Sequence, residues 1–289
     1  MLLGKNGMLG SMFSRLLQQN HDFEVFAFDR DLDITDEDAL DIEFARVRPD
    51  FVLNCAAYTN VDLAESTREL AFKINAKGPG FVAAKCKAYG AKLIHFSTDY
   101  VFDGSKAGDG YMEGDVHCPI NVYGESKLEG EKAIAAEMSD FYIIRTSWLF
   151  GPGGKNFVDT MLELGGEVLS GERDSLRVVD DQVGSPTYTF DLAEAVLRGF
   201  LLPFLEGGPQ LDFGIYHLTN SGKCSWYEFA REIFRFKGMN VALKPISSEE
   251  FVRAAKRPKN SVLLSAKIDF GVRGWNVAVC EYLKKYLRG

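Results

Sequence analysis

The chain has 289 residues, 46% of them hydrophobic and 26% charged, with a formal net charge of -8. Such a length supports one large α/β domain, or a main domain with a smaller lobe, around a core that needs no disulfide or metal. The negative charge excludes nucleic acid and anionic membrane as main partners, and no run of about 18 apolar residues is present to span a bilayer. No basic region followed by an apolar stretch opens the chain, and Cys55, Cys86, Cys118, Cys224 and Cys280 lack C-x-x-C spacing. The expectation is buried thiols in a cytoplasmic protein.

Taken in order, β-rich runs alternate with helical patterns through the first half, which predicts βαβ units and a parallel sheet. Strands are expected at residues 2–3, 24–28, 51–55, 92–97 and 141–146, with helices at 10–19, 37–47, 68–89 and about 122–137. The first strand is short for a central strand, which suggests an upstream start site or a clipped N-terminus. Gly78-Pro79-Gly80 should kink or interrupt the third helix. Beyond Gly151 short strands at 176–179 and 215–218 mix with helices at 189–202, 226–236 and 276–287, and 203–214 reads as a surface loop. The fold class expected is a Rossmann-type doubly wound parallel sheet. Residues 1–150 would bind the cofactor, and 151–289 would form mainly a smaller α/β substrate lobe, some segments returning to the sheet.

Gly4-Lys5-Asn6-Gly7-Met8-Leu9-Gly10 spells G-x-x-G-x-x-G between a strand and a helix. Glycines let backbone turn tightly and approach a pyrophosphate, which then faces the helix N-terminus. A tight turn without a ligand is the plain alternative. The next strand ends at Asp29, 19 residues after Gly10, where a carboxylate accepts hydrogen bonds from the adenosine ribose. A solvated acidic turn is the competing reading there, but the two signals at the correct separation favour a dinucleotide. Asp29 repels a 2′-phosphate and Arg30 attracts one, so NADPH and NADH both stay open.

Tyr123 and Lys127 stand at i and i+4, on one helix face. Carbonyl reduction needs a hydride on carbon and a proton on oxygen; a phenol donates the proton, and a nearby ammonium lowers its pKa toward neutrality. The same lysine can hold the nicotinamide ribose. One such match arises readily by chance as a surface aromatic–cation pair. Its context reverses that reading, because a strand ending in Ser97-Thr98 precedes it and a glycine loop lies upstream. Thr98, at the carboxyl end of a parallel strand, is placed to hydrogen-bond a substrate carbonyl. The alternative for Thr98 alone is a β-forming residue that finishes a strand.

These residues resemble the extended short-chain dehydrogenase/reductases, and more narrowly the dTDP-4-dehydrorhamnose reductase (RmlD-like) family. The resemblance covers nearly the whole chain: the glycine loop, Asn54-Cys55-Ala56-Ala57-Tyr58-Thr59-Asn60-Val61-Asp62, Ser97-Thr98-Asp99-Tyr100-Val101-Phe102-Asp103-Gly104 and Tyr123-Gly124-Glu125-Ser126-Lys127-Leu128. It continues through Arg145-Thr146-Ser147-Trp148-Leu149-Phe150-Gly151, Asp181-Gln182-Val183-Gly184-Ser185-Pro186-Thr187 and Arg257-Pro258. It implies pyrophosphate contacts at Gly7, Met8 and Leu9, adenine contacts at Asp33 and Ile34, a cofactor wall at Ala56, Ala57 and Tyr58, and Asn75 nearby. It also implies Asp99 beside the reacting sugar, Trp148 packed on the sugar nucleotide and Arg257 on a substrate phosphate. Plain structural alternatives are core packing for Trp148, capping for Asn75 and Asp99, and a salt bridge for Arg257.

The implied reaction is NAD(P)H-dependent reduction of the C4 keto group of dTDP-4-dehydro-β-L-rhamnose, for polysaccharide or glycoconjugate synthesis. The expected partners are that dTDP-sugar and a second copy in a homodimer. Ser11-Met12 after the third glycine offers no carboxylate, so no metal is expected; His21, His95, His117 and His217 are read as structural. Two rival readings stay open. One is another nucleotide-sugar reductase, epimerase or dehydratase, and the other a non-catalytic protein like the methionine adenosyltransferase regulatory subunit.

Overall fold

The computed structural model describes residues 1–106, 108–268 and 270–286. Five strands follow one another through the first half: β1 (Leu2–Leu3), β2 (Ala27–Phe28), β3 (Phe51–Asn54), β4 (Lys92–Thr98) and β5 (Phe141–Thr146). A sixth, β6 (Gly214–His217), comes from far along the chain and pairs with β5. All pairings are parallel and the order is β6-β5-β4-β3-β1-β2. The order reverses between β1 and β3, and the crevice at such a switch point is where an open α/β sheet takes a ligand.

Helices cover both faces, as parallel strands require. On one side α1 (Met8–Gln18) and α6 (Thr189–Val196) pack Met12, Phe13, Leu192 and Val196 against Ile94, Phe96 and Ile144. On the other, α2 (Glu37–Val47), α3 (Gly78–Tyr89) and α4 (Val122–Glu137) pack Phe44, Val82 and Ile134 against Val52, Leu93 and Ile143. In the second half α5 (Phe157–Ser170) packs with α7 (Trp226–Lys237) and α8 (Trp275–Tyr286) in a third core around Phe150, Tyr188 and Phe229. Three two-stranded ladders complete that region.

Most expected elements are present, with three differences. Residues 24–26 stay outside β2, which is only two residues long. The helical stretch over 68–89 is broken by a π turn at Lys73–Lys77 rather than at the glycines themselves. Pro79 has no N–H to give back to the Asn75 carbonyl, and α4 fills the distortion: a Cβ on its Gly130 would lie 2.1 Å from Asn75 O. Pro203 does not start a loop but sits in the first turn of a short helix, Leu202–Glu206, where a missing N–H costs nothing. The last helix stops at Tyr286, and Leu287 lies outside the described residues.

The cysteines also divide differently from expectation. Cys86 and Cys224 are buried, Cys55 and Cys280 are half-buried, and Cys118, on the loop leading to α4, is exposed.

Candidate active site

The glycine loop joins β1 to α1, and sterics explain two of its three glycines. Gly4 has a φ of 78°, and a Cβ there would come 2.7 Å from Ala56 N. A Cβ at Gly10 would lie 2.0 Å from Gly4 O, so the helix can start this close to the loop only with glycine. At Gly7 a Cβ would meet nothing nearer than Gly4 O at 3.4 Å. Protein packing gives no reason for glycine at that exposed position, at the N-cap of α1, and a pyrophosphate against the helix N-terminus does. Leu9 is buried in the core, which leaves its backbone N–H for a ligand.

Asp29 follows β2, and its Oδ2 accepts a hydrogen bond from Asn6 Nδ2 at 3.0 Å, which ties the acidic turn to the glycine loop. Asp33 is exposed and its carboxyl lies below the usual range; burial acts against this, and two bonds from Thr35 at 2.8 Å outweigh it. Ile34, next in the chain, is buried. Its side chain is 4% exposed and packs where a Cβ on Gly78 would touch it, so only its backbone can face an adenine.

Ala56, Ala57 and Tyr58 follow β3, half-buried along the crevice. Asn75 does not face it. Its Oδ1 accepts from Tyr58 N at 2.8 Å, and its Nδ2 donates to Tyr58 O at 2.9 Å and to Ser126 Oγ at 3.0 Å. With every polar atom engaged, this buried amide fixes the 56–58 wall to α4.

Helix α4 is set by Asn121, whose side chain caps Gly124 N at 2.8 Å, and by Gly124, where a Cβ would lie 2.1 Å from Tyr100 O. The close approach brings Tyr123 to the end of β4. Its ring meets Tyr100 edge-on at 5.8 Å. Thr98 Oγ1 donates to Asp99 Oδ1 at 2.9 Å and accepts from Tyr100 N at 3.2 Å. Among the described residues Asp99 Oδ2 has no partner, and burial pushes the carboxyl up to about 7 against hydrogen bonds from Ser261 and Thr98.

Lys127 lies deeper than Tyr123. By exposed area Tyr123 is only half-buried, yet its phenol is surrounded by protein, and burial pushes it up to about 12. The nearby Thr98 hydroxyl opposes that rise and the Asp99 carboxylate adds to it. The Lys127 Nζ, meanwhile, donates to Phe96 O at 2.6 Å and lies 3.2 Å from His95 Nε2. Its tail runs under α4 to the sheet, where a carbonyl awaits it, and the phenol is not lowered. Burial brings Lys127 itself down to about 8, opposed by Glu131 and Cys55.

Below this lies a group of side chains that spacing arguments missed. Arg145 on β5 is fully buried and grips Glu131 of α4 through Nε (2.9 Å) and Nη2 (2.6 Å). Ser97 Oγ donates to the same carboxylate at 2.5 Å, and His117 and His217 stand 2.7 and 3.3 Å from the guanidinium. The available signal was alternation along the strands. On the face toward α4 each strand begins apolar (Val52, Leu93, Ile143) and ends polar (Asn54, His95 and Ser97, Arg145).

Trp148 follows β5 with a φ of 48°, a strained backbone for an aromatic residue. Its ring stacks on Trp226 at 3.5 Å and 7°, and lies where a Cβ on Gly184 would fall 2.4 Å from it. Arg257 forms the salt bridge weighed above: its Nη1 and Nη2 reach Asp62 Oδ1 and Oδ2 at 3.1 and 3.0 Å. The structure thus gathers Thr98, Asp99, Tyr123 and Lys127 at the carboxyl end of β4, next to the switch point.

Comparison with known proteins agrees with this architecture. The RmlD substrate binding domain family model matches residues 1–288. The spore coat polysaccharide biosynthesis protein SpsK of Bacillus subtilis is 42% identical over 289 residues, covering 99% of this chain and 96% of its own. A dTDP-4-dehydrorhamnose reductase from Clostridium acetobutylicum superposes with a TM-score of 0.90 at 42% identity, over 99% of each chain. One from Bacillus anthracis, solved in complex with NADP, gives 0.89 at 39% identity over 98% of each. The chain belongs to the dTDP-4-dehydrorhamnose reductase (RmlD-like) family of extended short-chain dehydrogenase/reductases.

Proposed function

We propose that this protein reduces the C4 keto group of dTDP-4-dehydro-β-L-rhamnose to give dTDP-L-rhamnose, with NADPH or NADH as reductant, for polysaccharide or glycoconjugate synthesis. The observation that carries the reading is Tyr123 and Lys127 one turn apart on α4, packed against the end of β4 where Thr98 stands. Gly4, Gly7, Met8, Leu9 and Gly10 would hold the cofactor pyrophosphate, Asp29 and Asp33 the adenosine, and Ala56, Ala57 and Tyr58 the wall beyond. The open space over Gly7 fits that group. When bound, the cofactor supplies the hydride.

The chain's own residues handle the proton. A phenol at about 12 is fully protonated at neutral pH, so Tyr123 is loaded as the acid that protonates the developing alkoxide. Thr98 orients the carbonyl by turning its hydroxyl from Asp99. Lys127 holds the proton that restores Tyr123. Asp99 and Trp148 would face the sugar nucleotide, and Arg257, anchored on Asp62, would act on a phosphate only by releasing that carboxylate. Residues 1–150 would serve the cofactor and 151–289 mainly the sugar nucleotide, with β6 returned to the sheet.

Among the described residues no helix is long and apolar enough to cross a membrane. A cytoplasmic place follows from a nucleotide-sugar substrate and a nicotinamide cofactor, and light scattering would test the homodimer that belongs to the same reading.

The decisive assay follows NADPH and NADH oxidation with dTDP-4-dehydro-β-L-rhamnose and identifies the product by mass and NMR. Oxidation with formation of dTDP-L-rhamnose is expected. Intact cofactor binding without turnover would overturn the reading in favour of another nucleotide sugar or a regulatory role. Tyr123→Phe should cut turnover by roughly a hundredfold or more while cofactor affinity stays within about twofold.

A further inference from the structure

Asn54 and His95 are register partners on β3 and β4, so their side chains meet on the α4 face of the sheet. The Ala56 N–H donates to Asn54 Oδ1 at 3.1 Å, which turns Nδ2 of that amide toward His95 Nδ1 at 3.2 Å. An amide nitrogen only donates. His95 Nδ1 is therefore the unprotonated nitrogen, and the hydrogen-bond network assigns the ring's single hydrogen to Nε2. That N–H points at Lys127 Nζ, 3.2 Å away. An ammonium has three donors and no lone pair, so this contact is a hydrogen bond only for the neutral amine, which still donates to Phe96 O at 2.6 Å.

We propose that Asn54 and His95 form a tautomer-locked seat for uncharged Lys127, which occupies it after passing its proton to Tyr123. The idea rests on the reading of Tyr123 and Lys127 as the proton-handling pair. The protons balance. The Tyr123 O–H bond breaks as the O–H of the product alcohol forms, and a Lys127 N–H bond breaks as the Tyr123 O–H is restored. Solvent then returns a proton to Lys127, and NAD(P)H is the reductant throughout. His95 gains and loses nothing: it is a positioning residue.

The surroundings agree. Lys127 is faced by Glu131 from α4, by Cys55 from the end of β3 and by His95 from β4, while Arg145 of β5 is paired to Glu131. Burial lowers Lys127 to about 8, and burial with the Lys127 charge holds His95 well below its ordinary value. His217 supplies the contrast. Its Nδ1 faces two carbonyl oxygens, Tyr111 O at 3.1 Å and Leu264 O at 2.9 Å, and its Nε2 faces Arg145 Nη1 at 3.3 Å. It must therefore be the opposite, Nδ1–H tautomer.

The test is nitrogen-15 NMR of the histidine rings in the full-length protein, with and without NADPH, His95 being assigned by the loss of its signals in His95→Gln. We expect His95 protonated on Nε2 and His217 on Nδ1 in the same spectrum. A His95 ring protonated on Nδ1, or on both nitrogens, overturns the proposal. A second arm uses Asn54→Asp, which offers Nδ1 an acceptor, reverses the tautomer and lets Nε2 accept from the ammonium. The alkaline limb of kcat should then move upward by about one pH unit with KM for the sugar nucleotide within about twofold, and an unmoved limb in the folded variant is contrary. The ring spectra need no turnover, so an inactive wild-type protein would strike only the assigned reaction.

Discussion

The glycine loop and the polar floor beneath α4 hold the same crevice by opposite means. The loop works through missing side chains: Gly4 and Gly10 let backbone approach backbone more closely than any Cβ permits. The floor works through side chains that are all present and paired, with a fully buried Arg145 held by Glu131, Ser97 on the same carboxylate, and two histidines beside it. At Gly4 and Gly10 the loop has no room for an added atom, and the floor has no charge it can lose. Burying a charge costs several kcal/mol unless a partner of good geometry offsets it, so each member of the floor depends on the others.

The largest expected effect therefore comes from removing a charge and keeping the shape. Glu131→Gln leaves the Arg145 guanidinium buried without its counter-ion and should lower the unfolding free energy by about 3–5 kcal/mol in urea titrations. A loss below 1 kcal/mol would mean that the histidines and the Glu113 carbonyl already satisfy the arginine. The loop's counterpart is Gly10→Ala. Backbone sits on both sides of that contact, and the clash should cost about 3 kcal/mol. Calorimetry in the absence of ligand would separate this from any effect on binding.

The contrast also explains what was legible in the sequence. A glycine spacing is a local pattern, so the loop, its distance to Asp29 and the Tyr123/Lys127 turn can all be read along the chain. The floor has no local pattern. Asn54, His95, Glu131 and Arg145 come from three strands and a helix, and each alone looks like an ordinary polar residue. His95 was read as structural because its partners, Asn54 and Lys127, stand 41 and 32 positions away. The resting place of the Lys127 amine was hidden for a related reason: i and i+4 spacing sets the helix face but not where a four-carbon tail finds its acceptor. The π turn before Pro79 and the short helix at Pro203 show the same limit, since a proline marks a break but packing decides its place.

Asp99 offers a smaller effect with a definite sign. Its folded value of about 7 lies above the ordinary 3.8, so folding favours the protonated acid. Its contribution is most favourable below about pH 3.8 and is lost as pH rises from there through about 7. Asp99→Asn removes the charge whose Oδ2 has no partner, and should stabilise the protein at pH 8 by on the order of 2 kcal/mol. The gain should fade toward zero at pH 4. Paired urea titrations at the two values decide it, and an equal gain at both would show that something other than ionisation is responsible.

The smallest structural effect is predicted where the functional one is clear. Gly7 has a φ of -69°, which alanine adopts freely, and a methyl there would meet only Gly4 O at 3.4 Å. Gly7→Ala should therefore melt within about 2 °C of the parent, unlike Gly10→Ala beside it. The added methyl would stand over the first turn of α1, in the space where a pyrophosphate meets the free N–H groups. Fluorescence titration should show NADPH binding weakened about tenfold or more. Unchanged affinity would mean that the second glycine of the pattern serves only to shape the turn, and the phosphate would have to be placed elsewhere along the crevice.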